Sequence, residues 1–100
     1  MTEPTVWTRQ ARAFLRAEMA RRDVTYGELA RRLREHGFDE TAKNVSNKIG
    51  RGKFSAGFLL AAIVALGVRR PDLTPVIEAV EEADDQTALV EKSTRTHSRG

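Results

Sequence analysis

TYGELARRLREHGFDETAKNVSNKIGRGKFSAGFLLAAIVALGV, residues 25–68, is the stretch whose reading decides the fold. Thr25-Tyr26-Gly27-Glu28 has capping-box spacing, in which a threonine hydroxyl and a glutamate carboxylate satisfy orphan backbone N–H groups reciprocally. Tyr26, Leu29, Ala30 and Leu33 then fall on one helical stripe, and Gly37 stops the helix. Beyond Gly37-Phe38-Asp39, the positions Ala42, Val45 or Ser46, and Ile49 predict a short helix from roughly Glu40 to Ile49, ended by Gly50 and Gly52. Ser55 is the N-cap candidate for the helix that follows. Its residues from Phe58 to Leu66 are apolar almost all the way round, so it is expected at the centre, closing at Gly67.

Outward from this stretch the pattern stays helical. Val6 to Arg22 contains neither proline nor glycine, and Trp7, Ala11, Leu15 and Met19 recur every fourth residue with Phe14 beside them. That stripe predicts core packing, Trp7 and Phe14 included, while Arg9, Arg12 and Arg16 take the other face. On the far side, Thr74-Pro75 reads as a cap followed by proline at the first helical position. The fifth helix turns Leu73, Val76, Ile77 and Val80 inward and Glu78, Glu81 and Glu82 outward. From Asp84 the pattern dissolves, which predicts a domain over residues 1–83 and a flexible tail over 84–100. The fold class expected is therefore all-α, a compact bundle of about five helices that contains a helix-turn-helix with a lengthened turn.

Bulk properties narrow the function. A chain of 100 residues supports one domain with one modest core. With no cysteine there is no disulfide framework, thiolate metal site or cysteine nucleophile. The most apolar run is too short to cross a bilayer, and the first residues do not read as an export signal, so a cytoplasmic, nucleoid-associated protein is expected. Net charge is +3, yet residues 1–55 hold twelve Lys/Arg against seven Asp/Glu, whereas 56–100 hold five against seven. His36 and His97 stand alone, and Glu81-Glu82 and Asp84-Asp85 lack surroundings that would separate their pKa values. No enzyme, metal or cofactor is expected.

Thr25-x-x-Glu28-Leu29-Ala30-x-x-Leu33, then Ile49-x-Arg51-Gly52-Lys53, then Leu59-x-x-Ala62-x-x-Ala65-Leu66-Gly67-Val68 resembles the Cro/C1 (lambda-repressor-like) DNA-binding family, and nearly half of the chain carries the likeness. It also resembles small uncharacterised bacterial proteins built on such a core. The resemblance implies a third helix that enters the major groove of duplex DNA and places Lys43, Asn44 and Asn47 at base-reading positions. This sequence departs from the family in a longer segment between Ala30 and the third helix, and in Gly50 where glutamate is frequent.

Independently of that likeness, residues 41–54 contain Lys43, Lys48, Arg51 and Lys53 and no acidic residue. A merely solvating face usually mixes signs. Asn44 and Asn47 share the outward face, and an asparagine amide can pair in a bidentate way with adenine. Lys48, Arg51 and Lys53 are expected to hold phosphates, with Gly52 letting the backbone come close. Tyr26 belongs to the core stripe but can offer its hydroxyl to a phosphate. Arg31, Arg32 and Arg34 either widen the positive surface or pair with Glu28 and Glu35. A homodimer is expected because one helix-turn-helix covers a half-site, and the fifth helix is the candidate contact. The alternative is a protein-interaction module, antitoxin-like or adaptor-like, that uses the region from Gly37 to Glu40 and the acidic C-terminal region.

Overall fold

Three hydroxyls set the starts of the central helices. Thr25 Oγ1 accepts the Glu28 N–H at 3.1 Å, Thr41 Oγ1 accepts that of Asn44 at 3.1 Å, and Ser55 Oγ accepts that of Phe58 at 3.0 Å. Each satisfies an orphan donor of a first helical turn, a contribution of about 1 kcal/mol. The computed structural model describes residues 5–83, and over these the chain is all-α. The helices are α1 (Thr5–Arg22), α2 (Tyr26–Glu35), α3 (Ala42–Arg51), α4 (Ala56–Ala65) and α5 (residues 74–83). The tail expected over 84–100 lies outside the described residues.

The core forms where α3 packs against α2 and α1, and α4 against α2. Leu15, Leu29, Leu33, Val45, Ile49 and Ala62 are fully enclosed there, with Phe58 nearly so. A leucine buried to this degree contributes roughly 1.5–3 kcal/mol. The connection between α2 and α3 is long, residues 36–41, where a tight helix-turn-helix has about three or four residues. Phe38 is half-buried against the core and Glu40 is buried, so this loop is packed rather than loose. Arg34 Nη1 donates to the Glu40 carbonyl at 2.8 Å and ties the loop back to α2.

Several expectations change. The capping box is half formed: Thr25 caps α2, but the Glu28 carboxylate turns along the helix to Arg31 and Arg32. Helix α3 begins at Ala42, two residues later than expected, because Thr41 is the cap. Gly50 lies inside that helix, and Gly52, at φ 67°, ends it. Thr74 does not cap α5; Asp72 Oδ1 accepts the Thr74 N–H at 3.0 Å and the Leu73 carbonyl accepts from Ile77.

Helix α4 is not enclosed on all sides. Phe58, Ala62 and Ala65 face the core, whereas Leu60 and Val64 are more than 60% exposed. Trp7, expected in the core, is 55% exposed, and Leu73 and Ile77 are exposed as well. Among the described residues, no helix covers the side of α4 that carries Leu60 and Val64. A groove of about 410 Å³ runs between α1, α4 and α5, lined by Trp7, Phe14, Leu60, Ile63, Leu73 and Val76 among others. Among the described residues, no helix is long and apolar enough to cross a membrane.

Candidate functional site

The rotation of α3 is set by Val45 and Ile49, which are fully buried four residues apart. At about 100° per residue, this turns Lys43, Asn47 and Arg51 outward in one line with Asn44 beside it. All four are exposed. Among the described residues no carboxylate forms an ion pair with Lys43 or Arg51. The stripe thus presents two cations and two primary amides to solvent.

The C-terminal end of α3 is held by four contacts. Gly52 N–H donates to the Ile49 carbonyl at 3.0 Å and Lys53 N–H to that of Lys48 at 3.3 Å, the paired closure of a left-handed C-terminal turn. Gly52 is buried against α1 so closely that a Cβ there would stand 2.0 Å from the Thr8 carbonyl oxygen. Arg12 Nη1, also from α1, donates to the Gly50 carbonyl at 3.0 Å. Helix α1 is therefore the platform on which the stripe is aimed.

Two of the sequence-based phosphate contacts take other partners. Lys48 leaves the exposed line: its Nζ lies 2.5 Å from the buried Glu40 Oε2 and 5.1 Å from the centre of the Phe58 ring. Its ammonium is engaged by a carboxylate while the side chain stays partly exposed. Tyr26 is half-buried, its ring against the core, and its hydroxyl accepts from Arg16 Nε at 3.2 Å. Lys53 is exposed just past the glycine turn.

The second-helix arginines are engaged within the protein. Arg31 bridges Glu28 and Glu35, Arg32 binds Glu28 and the Ala65 carbonyl, and Arg34 holds Glu40. The guanidinium of Arg31, hydrogen-bonded to Glu28, followed by that of Arg32, brings the Glu28 carboxyl down to about 2. Glu18 is held below its ordinary value chiefly by the Arg21 guanidinium, with Arg22 also bonded to it.

Arg12 and Arg16 belong to this region and were not assigned to it from the sequence. Their signal was a cationic i, i+4 pair opposite the apolar stripe of α1. Their meeting with Gly50 and Tyr26 depends on how α1 crosses α3. Neither is ion-paired to a carboxylate among the described residues.

A family model described as a domain of unknown function (DUF6471) matches residues 7–71, which takes in most of α1 and all of α2 to α4. No curated protein and no solved structure matches the chain.

Proposed function

The chain belongs to the DUF6471 family, and we propose that it binds duplex DNA, with α3 in the major groove, as a small transcriptional regulator of the cytoplasm and nucleoid. One observation carries this reading: the solvent-facing line of α3 holds Lys43, Asn47 and Arg51 with Asn44 beside it, and no carboxylate pairs with its cations among the described residues. Amides and lysine suit base edges, and Arg51 with Lys53 suits phosphates. The likeness of residues 25–68 to the Cro/C1 family points the same way. The packing of the 36–41 loop supports the reading, since Glu40 pairs with Lys48 of α3 and Arg34 of α2 donates to the Glu40 carbonyl. The reading assigns no catalytic role.

The test is a mobility-shift titration against random duplex, single-stranded DNA and RNA at two salt concentrations. With about four phosphates neutralised, duplex affinity falls on the order of a hundredfold between 50 and 200 mM salt. Equal binding by Lys43→Ala and Arg51→Ala, or no duplex binding at all, overturns the proposal.

A second reading concerns protein contact, and the exposed apolar groove favours it. We propose that this face joins two copies of the chain. Leu73, Ile77 and Val80 follow the i, i+4, i+7 spacing of a helix-pairing seam. Arg69 and Arg70 precede α5 while Glu78, Glu81 and Glu82 occupy its far half, so antiparallel pairing sets basic against acidic ends. A two-fold dimer presents two reading helices to two half-sites. A protein partner of another kind on this face is the alternative, and monomeric behaviour at all concentrations favours it.

A further inference from the structure

We infer that Arg16 and Tyr26 form a second phosphate grip, on the α1 side of α3, so that the reading helix is held by both strands of the duplex. The inference rests on the duplex reading above and extends it to a site on a different helix.

The chemistry comes from three unspent donors. Arg16 is exposed, and its Nε is committed to the Tyr26 hydroxyl oxygen at 3.2 Å. That leaves the two Nη groups of Arg16 and the Tyr26 O–H without an acceptor among the described residues. Because the phenol oxygen accepts from the guanidinium, its own proton points elsewhere. The tyrosine ring is packed against the core, which fixes the direction of the hydroxyl. Adjacent donors joined by a hydrogen bond and carrying a positive charge suit the oxygens of a phosphodiester.

Position supplies the second argument. A Cβ at Gly50 would meet Arg16 Nη2 at 3.8 Å, so the guanidinium lies along the α3 backbone at that residue. Going round α3 at 100° per residue, the order is Gly50, Lys43, Asn47, Arg51, Asn44. Arg16 with Tyr26 therefore flanks one edge of the exposed line, and Arg51 the other. A helix seated in a major groove has a phosphate backbone on each side. The sequence supplied Arg51 and Lys53 for one of them and only the Tyr26 hydroxyl for the other; Arg16 completes the second.

Electrostatics agrees. Arg12 and Arg16 stand one helical turn apart on α1, an arrangement in which like charges repel. No carboxylate relieves them among the described residues. An anion bound at Arg16 does so. Arg12, with one Nη on the Gly50 carbonyl, acts as a positioning residue.

The experiment measures duplex affinity by fluorescence anisotropy across a salt series for the wild type, Arg16→Ala, Tyr26→Phe and Arg9→Ala. Arg9 is an exposed α1 cation outside the grip and controls for general charge loss. Arg16→Ala is expected to reduce the log–log salt slope by about 1, removing roughly a three- to fourfold change between 50 and 200 mM. Tyr26→Phe keeps the ring and is expected to lose a few-fold affinity equally for all sequences, while Arg9→Ala keeps the wild-type slope. Circular dichroism verifies that each variant is folded, and a folded Arg16→Ala with an unchanged slope overturns the grip while the duplex reading stands. A slope lost equally in Arg9→Ala also overturns it. A wild type that binds no duplex removes the duplex reading itself, and the grip with it.

Discussion

Lys48 and Glu40 neutralise each other across the end of the α2–α3 loop, with Nζ 2.5 Å from Oε2 and the ammonium 5.1 Å from the centre of the Phe58 ring. Glu40 is buried, and its second oxygen has no hydrogen-bond partner. Lys48→Met keeps the aliphatic stem but strands the carboxylate, so it should lower stability by about 1–2 kcal/mol, moderated because the lysine is partly exposed. The salt slope of duplex binding should not change. Thermal melts beside a salt series separate the two effects, and a flattened slope in Lys48→Met would return this residue to the phosphate contacts.

Gly52→Ala should be far more damaging than its size suggests. The residue sits at φ 67°, and the new Cβ would stand 2.0 Å from the Thr8 carbonyl oxygen. Left-handed strain and overpacking together cost about 3 kcal/mol or more. Gly67 has φ 77° but nothing within 4 Å of an added Cβ, so Gly67→Ala should cost only about 1–2 kcal/mol. Denaturant midpoints compare them; equal losses would mean that α1 does not press on Gly52.

Acid should weaken α2 through Glu28. Its carboxyl is held at about 2 in the folded protein against an ordinary 4.5, so the folded state binds the proton less readily than the unfolded chain. Stability from this group is therefore complete above about 4.5 and lost as the pH falls toward 2. The melting temperature of Glu28→Gln should depend less steeply on pH over that window than that of the wild type. Parallel curves would show that Arg31 and Arg32 do not hold Glu28 in solution.

Asn47→Ala should change which duplex is preferred, whereas Arg51→Ala should weaken all duplexes alike and reduce the salt slope by about 1. A lost base contact is worth about 1–3 kcal/mol at one position of the site. Selection from a randomised duplex pool reads both variants. A uniform loss in Asn47→Ala would remove its base-reading role.

Trp7, the single tryptophan, lines the apolar groove and would report on the proposed pairing of two copies. Raising protein concentration should shift its emission to shorter wavelength as the face is covered. Ile77→Glu should abolish that shift and give a monomer by sedimentation. A concentration-independent spectrum would place the contact elsewhere.

Local chemistry made much of this legible in the sequence. Thr25 and Ser55 followed by apolar periodicity located the starts of two helices, since capping is settled within a single turn. Ile49 with either Val45 or Ser46 gave the inward side of α3 approximately; packing seats Val45 and leaves Ala42 exposed, and with that Lys43, Asn44, Asn47 and Arg51 turn out. A glycine after a helix also marked its end, although Gly50 and Gly52 were distinguished only by the close approach of Thr8 to Gly52. What lay beyond one helix was decided by tertiary structure. Lys48 reads as one more surface cation until the loop folds Glu40 against it. Arg16 reads as solvated until α1 crosses Gly50 and Tyr26. Trp7, Leu60 and Val64 read as core, because periodicity reports that a face is apolar and not whether another helix is available to cover it. The physical reason is the same throughout: a helix is specified by neighbours three and four residues away, whereas charge pairing and burial depend on contacts that only the packing of distant segments brings together.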